Sequence, residues 1–110
     1  MANDFDDLLA QIEAEAEALA KAHKGTFRVT QGDTLEREFP MVHMVGRAAG
    51  RSHAPRMIEL EWGDPKHPRI AIIGKGVCFD SGGLDIKPSS AMLLMKKDMG
   101  GAACTLALAQ

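Results

Sequence analysis

The sequence predicts an α/β fold with a mixed, mostly parallel sheet flanked by helices. Three features lead to this prediction: an amphipathic helix over residues 5–24, a continuous apolar strand over 69–74, and an Ala- and Leu-rich helix over 100–110. The chain has 110 residues, of which 45% are hydrophobic and 25% are charged. This length allows one domain, and the composition is that of an ordinary globular protein.

The first helix is predicted from apolar residues that recur at helical spacing, with glutamates on its other faces. Asn3 or Asp4 can cap its start. Lys21 and Lys24 lie at its far end, where the helix dipole favours cations. We expect Gly25 to end the helix, because glycine commonly occupies the left-handed position after a last helical turn.

Residues 26–30 then read as a short strand, followed by a turn at Gly32 and Asp33. Residues 35–45 have helical spacing, but Pro40 interrupts the pattern. The next strong signal is the alternation of apolar and acidic residues over 57–62, which predicts a half-exposed strand near a sheet edge.

Residues 69–74 form a continuous apolar run between turn signals. Such a run is typical of a central strand that is buried on both faces. The helix over 100–110 follows after a long loop and reaches the last residue without a cap, so we expect the chain to be part of a longer one.

Composition excludes several classes of function. The formal net charge is -2, which argues against nucleic acid or an anionic membrane as a partner. No apolar stretch approaches the about 20 residues needed to cross a bilayer. The first residues are acidic and do not resemble a signal peptide. Cys78 and Cys104 are predicted to be small buried hydrophobes in a reducing compartment, and a cytoplasmic location is therefore expected.

The stretch "GKGVCFDSGGLDIKPSSAMLLMKKDMGG", residues 74–101, concentrates charges and glycines directly after the apolar strand. It matches neither a phosphate-binding loop nor a dinucleotide fingerprint, and Ser81 is not in a G-x-S-x-G context. The four histidines of the chain are far apart and do not form H-E-x-x-H. In open α/β sheets, ligands bind outside the carboxyl ends of strands, so these charges are placed to line a crevice.

Lys75, Asp80, Lys87 and Asp98 are the candidate site residues within this stretch. Carboxylates bind divalent cations and can bridge two of them. A lysine amine binds a metal ion only in its neutral form, which a nearby dication favours. Gly82 and Gly83 would let the backbone approach closely. By spacing alone, a solvated cluster of ion pairs is the more common arrangement of such residues.

The order of the whole stretch closely resembles the leucyl (cytosol) aminopeptidase family, whose pattern is G-K-G-x-x-F-D-S-G-G-x-x-x-K-P-x-x-x-M-x-x-M-K-x-D-M-G-G-A-A. Every fixed position is met over about thirty residues, which makes chance agreement negligible. The segments "FPMVHMVGRA" and "APRMIELEW" also resemble those that precede the site in bacterial members.

The resemblance implies an aminopeptidase that releases N-terminal residues, often leucine, from peptide substrates with two zinc or manganese ions. By position, Lys75 and Asp98 would ligate one ion, Asp80 would bridge both, and Lys87 would be a catalytic lysine. The family is typically a hexamer of identical subunits. These roles agree with the general chemistry of two-metal hydrolysis.

The resemblance also implies the domain layout. The chain would be the N-terminal part of the catalytic domain: residues 1–25 a lead helix, 26–68 strands and loops, and 69–110 the strand, loop and helix of the metal site. The family's N-T-D-A-E-G-R motif, which supplies further ligands and an arginine that holds bicarbonate, is absent from the sequence. We therefore expect the 110 residues alone to be inactive, and the alternative is a non-catalytic fragment or an interaction subunit.

Overall fold

The computed structural model describes residues 8–78, 87–92 and 94–110 of the chain. They contain five α-helices and two strands in the order α1 (Leu8–Ala22), β1 (Thr26–Gln31), α2 (Gly32–Glu38), α3 (Pro40–Gly46), β2 (Arg56–Glu61), α4 (Ser89–Met92) and α5 (Gly100–Ala109). The chain divides into two compact units, Glu13–Arg69 and a second unit formed by Met1–Ile12 with Ile70–Gln110. The predicted start of the first helix near Phe5 lies outside the described residues.

At the end of α1, the left-handed backbone conformation falls on a different residue from the one predicted. Lys24, not Gly25, has a left-handed backbone, with φ of 55°. The Gly25 N–H donates to the Ala20 carbonyl at 2.8 Å and the Lys24 N–H to the Lys21 carbonyl at 3.3 Å, which is a Schellman motif. Glycine is needed at 25 for space, since a Cβ there would lie 2.7 Å from the Glu61 carbonyl oxygen.

The two strands pair antiparallel, with Thr26 opposite Glu61 and Gln31 opposite Arg56. This confirms the strands expected over 26–30 and 57–62. Arg28 on β1 makes an ion pair with Glu59 on β2 at 2.6 Å, and this pair lies on the exposed side of the sheet.

Gly32 does not form a separate turn, because α2 begins at that residue. Pro40 separates α2 from α3 and occupies the first turn of α3, as its missing N–H allows. The core of the Glu13–Arg69 unit consists of buried side chains from α1, β1 and α2: Ala16, Ala20, Thr30 and Leu35.

The prediction of a central buried strand at 69–74 is wrong for this structure. Within the described residues, the only sheet is the antiparallel pair β1–β2, and no strand pairs with this segment. Ile70 is 88% exposed and Ile73 is 85% exposed. The apolar run carries the burial preference of a central strand, but burial also needs neighbouring strands and covering layers. The α/β class is therefore confirmed, while a mostly parallel sheet stays a prediction.

Candidate metal site

The candidate site is built where residues 74–77 lie against the start of α5. A short 3-10 helix, Met95–Met99, leads directly into α5. The Ala102 N–H donates to the Lys75 carbonyl at 3.0 Å, and the Val77 N–H donates to the Asp98 carbonyl at 3.3 Å. These two bonds hold the backbone of Lys75 beside that of Asp98, although the two residues are 23 positions apart in sequence.

Three glycines make this close approach possible. A Cβ at Gly101 would lie 2.8 Å from the Lys75 carbonyl oxygen, and one at Gly76 would lie 2.9 Å from the Ala102 Cβ. A Cβ at Gly74 would lie 2.5 Å from the Gly101 carbonyl oxygen. Real Cβ atoms do not approach neighbours this closely, so only glycine fits at these positions. The sequence pattern predicted this role for Gly82 and Gly83, which lie outside the described residues.

The side chains of Lys75 and Asp98 converge across this contact. The Lys75 Nζ lies 3.9 Å from Asp98 Oδ1. Asp98 is 28% exposed and lies two residues before the first residue of α5, where the positive end of the helix dipole favours a carboxylate. Two of the four predicted site residues are therefore brought together.

Of the other two predicted residues, Lys87 lies within the described part of the chain and Asp80 does not. Lys87 is half-buried and lies two residues before the first residue of α4. In the described part of the chain, no group of three or more His, Cys, Asp or Glu side chains is arranged to hold a metal ion.

Sequence reasoning missed Lys97. Its Nζ donates to Asp98 Oδ2 at 3.2 Å, so each oxygen of the Asp98 carboxylate faces one lysine. Lys97 occupies a variable position of the family pattern. Neighbouring residues in a sequence often point apart, so adjacency to Asp98 could not predict this contact.

The two cysteines do not share the environment predicted for them. Cys78 follows the glycine-rich segment and is half-buried, and burial raises the pKa of its thiol. Cys104, on α5, is exposed, so the prediction of a buried side chain is wrong for this residue. Among the described residues, no helix is long and apolar enough to span a membrane.

Comparison with known proteins decides the family. The family model described as "Cytosol aminopeptidase family, catalytic domain" matches residues 6–110. The chain belongs to the cytosol aminopeptidase family. A crystal structure of a cytosol aminopeptidase from Coxiella burnetii is 46% identical, with a TM-score of 0.87, and covers 98% of this chain and 23% of its own.

Curated relatives agree with this assignment. A probable cytosol aminopeptidase of Sinorhizobium fredii is 37% identical over 110 residues, which are 98% of this chain and 22% of the relative. One from Gloeobacter violaceus is 44% identical over 100 residues, which are 87% of this chain and 19% of the relative. The chain thus spans about a fifth of the length of these cytosol aminopeptidases.

Proposed function

We propose that the chain carries the first half of the metal site of a two-metal aminopeptidase, which releases N-terminal amino acids, often leucine, from peptides. The observation that supports this proposal is the convergence of Lys75 and Asp98 on the glycine-packed contact at the start of α5. These two residues occupy fixed positions of the pattern of the family to which the chain belongs.

The donor atoms at this contact fit a divalent metal ion. Zinc accepts nitrogen and oxygen ligands at about 2.0–2.2 Å, so two ligands of one tetrahedral ion lie about 3.3–3.6 Å apart. The Lys75 Nζ and Asp98 Oδ1 are 3.9 Å apart and the Lys75 side chain is 70% exposed, so a shift of about 0.3–0.6 Å would bring them within that range. Their backbones are already fixed by hydrogen bonds.

Each residue then has a defined task. Lys75 and Asp98 would hold one ion, and Asp80 would be the carboxylate that serves both ions of the pair. A pair of zinc or manganese ions supplies an activated water and binding positions for the amine and carbonyl of the substrate. The glycines at 74, 76 and 101 keep the two ligand-bearing segments in contact.

Lys87 has a different proposed role, which is to place an ammonium group at the scissile carbonyl oxygen. A fixed cation at this oxygen stabilises the negative charge that develops there during attack, and one such donor contributes about 2.7–4 kcal/mol in comparable sites. Its half-buried position before α4 limits its contact with water and so favours this role.

The remaining residues of the proposed site would come from the part of the family's length that this chain does not span. We propose that the N-T-D-A-E-G-R motif of a longer chain supplies the remaining ligands and the arginine for bicarbonate. We propose further that the whole protein is a cytoplasmic homo-hexamer that acts on peptides, and not on nucleic acid or membranes.

The proposal is tested by grafting these 110 residues in place of the matching segment of the Coxiella burnetii cytosol aminopeptidase, which they match at 46% identity. The chimera should cleave leucine p-nitroanilide with Mn²⁺ or Zn²⁺ and lose activity when the metal is chelated. Asp80→Ala should abolish turnover because that carboxylate serves both ions. Asp85→Ala is the matched control, since residue 85 is a variable position, and it should retain activity.

Two results would contradict the proposal: turnover of the Asp80→Ala chimera near that of the unmodified chimera, or activity that chelation does not affect. The 110-residue chain by itself should show no turnover and should bind metal weakly. Tight two-ion binding and chelator-sensitive turnover by the isolated chain would show that other groups complete the site.

A further inference from the structure

Asp98 has two cationic neighbours with unequal contacts. Lys97 donates a hydrogen bond to Oδ2 at 3.2 Å, whereas the Lys75 Nζ is 3.9 Å from Oδ1, beyond hydrogen-bond distance. In the described structure, the closer cation is thus the lysine at the variable position of the family pattern. The proposed ligand Lys75 makes the longer contact.

We propose that Lys97 is a competing counter-cation for Asp98, which weakens the binding of a divalent metal ion at this carboxylate. The inference rests on the proposed function, because it takes Asp98 as a metal ligand. Lys97 would thereby set the metal concentration at which the site fills, without itself ligating the ion.

Two effects of Lys97 oppose one another, and the structure decides between them. A lysine that holds a carboxylate in one orientation can prepare it for a metal ion, whereas its positive charge repels the ion. The Lys97 side chain is 72% exposed, so its many rotamers give little fixed orientation to Asp98. The backbone of Asp98 is instead held by the Val77 N–H, which does not involve Lys97.

Repulsion is therefore the larger effect. A unit positive charge at ion-pair distance from the ligand acts on a dication with twice the energy that it has toward a single charge. A metal ion that binds Asp98 must also share the carboxylate with Lys97 or displace it. Removal of this charge should tighten metal binding by about threefold to tenfold at low salt.

The experiment is a Mn²⁺ titration of the 110-residue chain, in which free Mn²⁺ is measured by electron paramagnetic resonance, a method suited to weak binding. Lys97→Met keeps the aliphatic stem and removes the charge, and it should lower the Kd for Mn²⁺ by about threefold to tenfold. Lys97→Arg keeps the charge and should bind as the unmodified chain does. Lys21→Met is the matched control, because Lys21 makes a similar exposed ion pair with Glu17 at 3.0 Å; its Kd should not change.

Salt separates charge repulsion from a structural effect. In about 1 M KCl, where the Debye length is about 3 Å, the difference between Lys97→Met and the unmodified chain should shrink. An equal or weaker affinity of Lys97→Met, while Asp98→Asn loses binding, overturns the role of Lys97 and leaves the metal site intact. Unchanged Mn²⁺ binding by Asp98→Asn would instead show that the proposed site itself is wrong.

Discussion

The close contact at Gly101 makes a specific prediction, because the next residue toward the N-terminus offers a matched control. A Cβ at Gly101 would lie 2.8 Å from the Lys75 carbonyl oxygen and 3.1 Å from the Lys75 nitrogen. Both are backbone atoms that cannot rotate away. A Cβ at Gly100 would meet nothing within 4 Å. Both glycines belong to α5, so the two alanine variants differ mainly in this contact.

The expected size of the effect follows from three contributions. Overpacking of a fixed contact costs about 1–3 kcal/mol. Displacement of the Lys75 carbonyl weakens the hydrogen bond from the Ala102 N–H, at a cost of about 1 kcal/mol. Alanine in place of glycine in a helix recovers about 0.5–1 kcal/mol. Gly101→Ala should therefore destabilise the contact by about 1–3.5 kcal/mol, whereas Gly100→Ala should stabilise α5 by about 0.5–1 kcal/mol.

The assay is hydrogen exchange of the Ala102 amide, followed by NMR in the two variants and the unmodified chain. Exchange should be about fivefold to several hundredfold faster in Gly101→Ala and slower in Gly100→Ala. Circular dichroism checks that both variants keep their helices. If Gly101→Ala protects the Ala102 amide as well as Gly100→Ala does, residues 74–77 do not pack against α5 as described.

Three further predictions concern Lys24, Arg56 and the two lysines of the proposed site, Lys75 and Lys87. Lys24→Gly should raise the free energy of unfolding by about 0.5–1 kcal/mol in urea titrations, since glycine adopts the left-handed conformation of this residue without strain; lower stability would contradict the assigned φ. The Arg56 side chain is 11% exposed and pairs with the half-buried carboxylate of Glu13, so Arg56→Leu should lower the free energy of unfolding by about 1–2 kcal/mol. Arg28→Leu, on the exposed face of the sheet, should change it little, and equal effects of the two substitutions would contradict this reasoning. In the chimera, excess Mn²⁺ should partly restore turnover of Lys75→Ala but not of Lys87→Ala, and the opposite rescue would exchange their roles.

Local sequence patterns predicted the local structure well. Helical spacing located α1, an Ala- and Leu-rich composition located α5, alternation located β2, and Pro40 marked the break between α2 and α3. The left-handed residue at the end of α1 could not be located in this way. Lys24 adopts this conformation, and the glycine is used one residue later, where the chain passes the Glu61 carbonyl. The need for glycine at 25 depends on tertiary contact, which periodicity does not contain.

The sequence did not predict which strands pair or in which direction. The alternation in β2 predicts a half-exposed strand but does not say that its neighbour is β1 or that the pair is antiparallel. The family motif similarly predicted that Lys75 and Asp98 belong to one site. It did not indicate that Lys97 would contact the same carboxylate, since that depends on side-chain rotamers in the 3-10 helix.

The contact of residues 74–77 with the start of α5 and the predicted strand over residues 69–74 depend on different partners. This difference explains why the contact is formed here and the strand is not. Residues 74–77 find their hydrogen-bond partners at 98 and 102, within the chain, and the glycines remove the steric obstacle. Ile70 and Ile73 need flanking strands, and none in the described residues pairs with them. The related cytosol aminopeptidases are four to five times longer than this chain, and we expect their additional residues to provide those strands. We therefore expect the contact of residues 74–77 with 98 and 102 to form in this chain by itself, and so to place the proposed ligands Lys75 and Asp98 side by side.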